Sequence, residues 1–211
     1  MKAEILTQIP VSGDFQEIHF GKTFKSQLWI KFIDNNFQEW VGCFARSYQT
    51  WDKVLTDEAN ETAFIVAGGQ CYLIDISTKE LLHHLNEDSV IESVIQTTNP
   101  KRFLVSICNC IYIFDNKKLI KHYKPPFIVD GIYFTAQKEQ KAIGHLYSYE
   151  NEKDFFIGFS FDLITHEMTI DKNVKIRQVG PYEFVTVTEK EVMVNKSLFT
   201  KILRRLTDKW K

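Results

Sequence analysis

The sequence predicts an all-β fold, built as an array of about five stacked four-stranded units. Three observations carry this. Short apolar strands recur with a period near 40 residues, the mark of stacked sheets. Those strands alternate or run continuously apolar, without the three-and-four spacing of helical repeats. Between them, glycine, asparagine, aspartate and serine fall at matching places and supply turns.

The clearest copy runs from Phe64 to Leu85. It reads as strands Phe64–Ala67 and Cys71–Ile76, reversed by Gly68-Gly69, because glycine reaches positive φ without steric cost. Ser77-Thr78-Lys79 turns the chain into a third strand, Leu81–Leu85. A second copy starts at Phe103: Phe64 aligns with Phe103, Cys71 with Cys110 and Ile74 with Ile113, at an offset of 39. One residue then drops out, so Leu81 falls on Leu119. A third copy starts at Phe184, with Phe103 on Phe184, Ile111 on Val192 and Ile113 on Val194, an offset of 81. A divergent copy lies between them, where Asp162–Met168 aligns with Asp75–Leu81 at an offset of 87.

Taken in order, Ala3–Ile9 alternates loosely and ends at Pro10, which suits an edge strand. At the start of the chain such a strand is placed to complete a sheet begun at the other end. Ser12-Gly13-Asp14 is a turn. Leu28–Ile33 and Glu39–Ala45 form a hairpin through Asp34-Asn35-Asn36, whose residues tolerate left-handed backbone. This first unit, about 12–50, is the least like the others. The second spans 51–88. The third, 89–126, has outer apolar positions at Val90-Ile91 and Val94-Ile95, closed by Asn99-Pro100. Lys124-Pro125-Pro126 separates it from the fourth, 127–173, with strands Ile128–Thr135, Ala142–Tyr147 and Phe155–Phe161. The polar tract Ser148–Asp154 reads there as an enlarged hairpin loop, a favoured place for binding on a repeat scaffold. The fifth unit is 174–203. Its end reads as a strand by the repeat and as a short C-terminal helix by periodicity. Phe199, Ile202, Leu203, Leu206 and Trp210 share one helical face, and Ser197 is placed to cap it. The helix is the reading favoured here. Lys201, Arg204, Arg205 and Lys209 line its other face, which reads as solvated.

Units of the form strand, turn, strand ending in Asp, turn, short strand resemble β-propeller blades of the WD40-like type. The residues that carry this are Ile74-Asp75, Phe114-Asp115, Phe161-Asp162 and Val194-Asn195, each followed by a polar turn. The resemblance covers roughly residues 50–200, without the family's Trp-Asp and Gly-His signatures. It implies a single β-propeller-like domain over 1–211, an array of about five blades. That scaffold hosts enzymes and pure interaction modules alike.

Composition narrows the function. The chain has 211 residues, 44% apolar, with 17 phenylalanines, which is ample for a core. Its net charge of −1 gives no field that favours nucleic acid or an anionic membrane. The N-terminus lacks a secretory pattern, and no window approaches a membrane span, so a cytoplasmic protein is expected. Asp75, Asp115 and Asp162 read as turn residues that accept backbone N–H groups two residues on, rather than as a ring for a cation. Cys43, Cys71, Cys108 and Cys110 read as buried free thiols, with Cys108 and Cys110 on one strand face, and Cys71 and Cys110 in like positions. His84 and His122 are also equivalent, at an offset of 38. No metal spacing, phosphate cradle or nucleophile elbow is present, so no cofactor, no metal and no catalysis are expected.

The reading that remains is a non-catalytic protein-binding module, monomeric on its own, whose partner is another protein. Its narrowest form is a bacterial inhibitor or immunity protein that blocks a partner toxin or enzyme. The candidate contact residues are Tyr147, Tyr149, Glu150, Glu152 and Asp154. Tyr147 and Tyr149 share a strand face beside the charged tract, and aromatic anchors dominate interface energetics. Two alternatives stand beside it. One is a carbohydrate- or small-molecule-binding propeller with hydrolase activity, which needs carboxylates and aromatics converging at one end. The other is a scaffold subunit docking through Lys201–Lys211.

Overall fold

In the computed structural model, residues 1–11, 13–22, 26–49, 51–85, 91–126, 129–150, 153–180 and 183–187 are described, with backbone alone at 148–150, 153–155, 172–180 and 183–187. Every helix or strand element among them is a strand. The first sheet holds β1 (Lys2–Ile5), β2 (Gln16–Phe20), β3 (Gln27–Ile33) and β4 (Glu39–Ala45). The second holds β5 (Asp52–Asp57), β6 (Thr62–Ala67), β7 (Gln70–Asp75) and β8 (Glu80–Leu85). The third holds β9 (Ile91–Thr98), β10 (Lys101–Ile107), β11 (Cys110–Asp115) and β12 (Lys118–Tyr123). The fourth holds β13 (Gly131–Lys138), β14 (Lys141–Glu150), β15 (Lys153–Asp162), β16 (Met168–Gly180) and β17 (Glu183–Val187). The second and third sheets are antiparallel meanders in chain order, as is the fourth, to which β17 adds a fifth strand.

The turns behave as their residues dictate. Gly68 and Gly69, at φ 54° and 88°, join β6 to β7, with Ala67 opposite Gln70. Asn99-Pro100, with a cis bond, joins β9 to β10. Asp34 Oδ1 accepts from the amides of Asn36 and Gln38, each at 2.8 Å, and so ties the β3–β4 turn. Its left-handed residue is Phe37 (φ 60°) rather than an asparagine.

What joins the sheets is alternation. Along β6, Ala63, Ile65 and Ala67 pack on the first sheet, against Ile30, Phe32 and Trp40. Phe64 and Val66, on the other face, pack on the third sheet, against Phe103 and Val105. Leu104, Ile111 and Ile113 of the third sheet pack in turn on Ile132, Ala142 and Phe161 of the fourth. Neither the second nor the third sheet hides an apolar face by itself; each is buried on both sides by its neighbours.

This corrects the register of the repeat. The hairpins place Tyr72 on Tyr112, an offset of 40, so Phe64 corresponds to Leu104 and Cys71 to Ile111. A slip of one residue moves every side chain to the opposite face. Phe64 and Phe103 are therefore facing partners across an interface, with ring centroids 5.4 Å apart, and not copies. The offset of 87 holds: Asp75 and Asp162 open equivalent turns, Ile76 and Leu163 are both buried, and Lys79 and His166 both take positive φ.

The first sheet departs from the pattern as expected, in the order β1-β3-β4-β2 with β2 parallel to β4. The N-terminal strand is shorter than Ala3–Ile9. Among the described residues it pairs with β3 of its own sheet, Lys2 opposite Ile33, and with no strand from the far end of the chain. β16 runs through the expected boundary at 173/174, and β17 pairs with it, so the opening of the fifth unit continues the fourth sheet. Val192, Val194 and the expected helix at Ser197–Trp210 lie outside the described residues.

Candidate functional site

The tract Ser148–Asp154 is not an enlarged loop. β14 and β15 are ten residues each and stay in register through it, with Ser148 opposite Phe155, Tyr149 opposite Asp154 and Glu150 opposite Lys153. Tyrosine suits a pleated strand, and the last pair sets opposite charges across the ladder, so the polar composition extends the hairpin. Arg102 opposite Asp115 corresponds to Lys141 opposite Asp162, so Ile107, the last residue of β10, corresponds to Leu146, which like it faces the preceding sheet. The fourth sheet's hairpin therefore runs four pairs beyond that of the third, from Tyr147 to Glu150. Tyr147 stands at its root, partly buried, with its ring 5.3 Å from that of Phe156 and its carbonyl accepting from the Asp130 amide at 2.8 Å. Tyr149, Glu150 and Asp154 are placed by register alone, and Glu152 lies outside the described residues.

Below this hairpin an aromatic layer stiffens its base. Tyr133 stacks on His145 at 5.0 Å, and Phe156 meets His145 edge-on at 5.8 Å. The Tyr133 hydroxyl donates to Glu92 Oε2 at 2.7 Å, linking the first strands of the third and fourth sheets. Burial, then Glu92, pushes the Tyr133 hydroxyl up. Burial also pulls the His145 imidazole down to about 4, so it is neutral at pH 7.

The aspartates act mostly as turn residues. Asp75 Oδ1 accepts from the amides of Ser77 (3.0 Å) and Thr78 (2.9 Å), and Asp162 Oδ1 from those of Ile164 (2.8 Å) and Thr165 (2.9 Å). Asp115 does not: its turn, Asn116-Lys117, is only two residues long, and its carboxylate instead accepts from Arg102 Nε at 2.9 Å.

The thiols depart further from expectation. Cys43 and Cys71 are buried, but Cys108 is an exposed turn residue at φ 48° and Cys110, opening β11, is partly exposed. The tight hairpin removes Cys108 from the strand, so the two share no strand face. The His84–His122 equivalence holds, since each stacks on the equivalent tyrosine of the adjacent strand: His84 on Tyr72 at 4.5 Å, His122 on Tyr112 at 4.6 Å. Among the described residues, no group of three or more His, Cys, Asp or Glu is placed to hold a metal ion. None of them forms a helix long and apolar enough to cross a membrane.

A second feature has no motif in the sequence. A cleft of about 670 Å³ opens where the end of β1 and the start of β3 meet the connection into β5. Ile5, Gln8, Gln27, Trp29, Arg46 and Asp52 are among its walls. Arg46 Nη2 lies 3.0 Å from Asp52 Oδ2, and Asp52 Oδ1 accepts from the Gly68 amide at 3.0 Å. Arg46 directly follows β4 and Asp52 opens β5, at strand ends where periodicity is silent. The β3–β4 pairing brings Arg46 to the start of β3, and the second sheet brings Asp52.

No protein-family model matches the chain, and no characterised protein is significantly similar to it.

Proposed function

We propose that the protein is a non-catalytic protein-binding module that engages its partner through the β14–β15 arm. The supporting observation is the length of that hairpin against its neighbour in the array: Ser148, Tyr149 and Glu150 are paired with Phe155, Asp154 and Lys153 beyond the point where β10 and β11 turn. A two-stranded arm on a stacked scaffold orders its side chains before contact and so lowers the entropy lost on binding. Glu150, Glu152 and Asp154 outnumber Lys153, so the arm matches a basic surface. An enzyme with a basic substrate cleft is the partner such an arm would block, which is the inhibitor reading in physical form.

The test compares the intact chain with a variant in which residues 149–154 are replaced by Asn-Gly, a two-residue hairpin turn. The intact chain should recover a stoichiometric protein complex from the cytosol of its own source. The shortened variant, with an unchanged melting temperature, should lose it. A complex that survives the shortening would remove the arm from the interface.

A further inference from the structure

The cleft beside β1 carries a different chemistry from the arm, and we propose that it binds a neutral saccharide. The charged pair in its wall, Arg46 and Asp52, is matched at 3.0 Å, so the pair offers no net charge to an ion. Both side chains remain partly accessible, 25% and 19%, so donor and acceptor edges still face solvent. Gln8 and Gln27 each add an amide that both donates and accepts. Interleaved donors and acceptors without net charge suit hydroxyl groups, each of which does both. Trp29 and Ile5 supply apolar wall for the C–H faces of a sugar ring. The volume, about 670 Å³, lies within the range of small-ligand pockets.

The partners that hold the wall in place come from three directions. Leu6 N donates to Trp29 O at 2.8 Å and fixes β1 against β3. Arg46 N donates to Ser26 O at 3.1 Å. Gly68 N holds Asp52 from the β6–β7 turn. The Arg46–Asp52 pair and the backbone that carries Trp29 are thus held before a ligand arrives, which lowers the entropy lost on binding. The site is independent of the arm, and the loss of either reading leaves the other intact.

The test uses the full chain and titration calorimetry with cellobiose, lactose and diacetylchitobiose, beside glucosamine and glucuronate as charged probes. At least one neutral disaccharide should bind and raise the melting temperature as its concentration increases. The double variant Gln8→Ala/Gln27→Ala should melt like the parent without sugar and bind about tenfold more weakly or worse. Trp29 fluorescence should respond to the sugar in the parent, with Trp29→Phe removing that response. No binding by any neutral probe at about 10 mM, a range in which even weak ligands register, overturns the proposal. So does equal binding of the charged probes, or undiminished binding by the double variant.

Discussion

Gly144 has no room for a side chain. A Cβ there would sit 2.0 Å from the Tyr133 carbonyl oxygen, because β13 bulges between Phe134 and Ala136 and presses its backbone on β14. Gly144→Ala must displace main chain, and it should cost at least about 2 kcal/mol. Gly13→Ala, with nothing within 4 Å but φ 95°, should cost about 1 kcal/mol or less. Denaturant melts of both variants check this. Asp75 makes a second prediction. Burial raises its carboxyl, but hydrogen bonds from Lys117, Thr78 and Ser77, with the charge of Lys117, outweigh that and hold it at about 2. Its folded value is depressed, so its contribution is full above about pH 4, the unfolded value, and fades as pH falls toward 2. Asp75→Asn should therefore destabilise by about 1–3 kcal/mol at pH 7, with the gap between variant and parent closing below pH 3. A gap that stays constant with pH would contradict the pairing with Lys117. The turn roles of Asp75 and Asp162 were legible because they depend on residues two and three places away. The role of Asp115 was not, since its partner Arg102 comes from the facing strand.

At the scale of elements, the sheets are pinned by side chains that reach into a neighbour's turn. Trp40 Nε1 of the first sheet donates to Ile76 O of the second at 3.1 Å. Arg102 of the third sheet donates to Leu163 O of the fourth, the equivalent carbonyl. Lys101 pairs with Asp57 at 2.7 Å across the second and third sheets. The Arg102 joint carries a titratable group, with His166 Nε2 3.3 Å from Arg102 Nη1. Arginine only donates, so His166 must accept there as the neutral imidazole. Burial, then Arg102 and Lys121, lower its pKa, Asp162 opposes them, and Phe161 stacks beside it at 6.3 Å. Unfolded histidine takes a proton near pH 6.5 while the folded ring resists it, so stability should fall as pH drops below that value. His166→Asn, which tolerates the left-handed backbone, should flatten part of that fall. Paired melts from pH 7.5 to 5 test it. His145, also lowered by burial, contributes in the same window and stays in both proteins. Identical pH profiles would show that the joint does not titrate. Hairpins joined by short turns were readable from sequence, but the β14–β15 arm was not. Its polar residues mimic a loop unless the partner strand is known.

At the scale of the whole molecule, the described sheets pack in series, and each interface belongs to two of them. Phe64 is fully buried between the second and third, with ring centroids 5.4 Å from Phe103 and 5.6 Å from Phe114. Phe64→Ala should cost about 3–5 kcal/mol, and because the interface is shared, amide exchange should speed up in both β6 and β10. Acceleration confined to β6 would show that the sheets open independently. The central strands β6 and β10, covered on both faces, should be the slowest to exchange in the parent. The sequence by itself determined the all-β class, the rhythm near 40 residues and most turn positions. Those follow from side-chain alternation and backbone preferences that act over a few residues. The tertiary structure alone decided which face each strand shows, that Phe64 and Phe103 meet rather than superpose, where β1 pairs, and that Arg46, Asp52 and Trp29 share a cleft. A single-residue shift in register leaves the local apolar pattern nearly as good while turning every side chain over. Only the neighbouring sheet, by accepting one face and excluding the other, settles which register is stable.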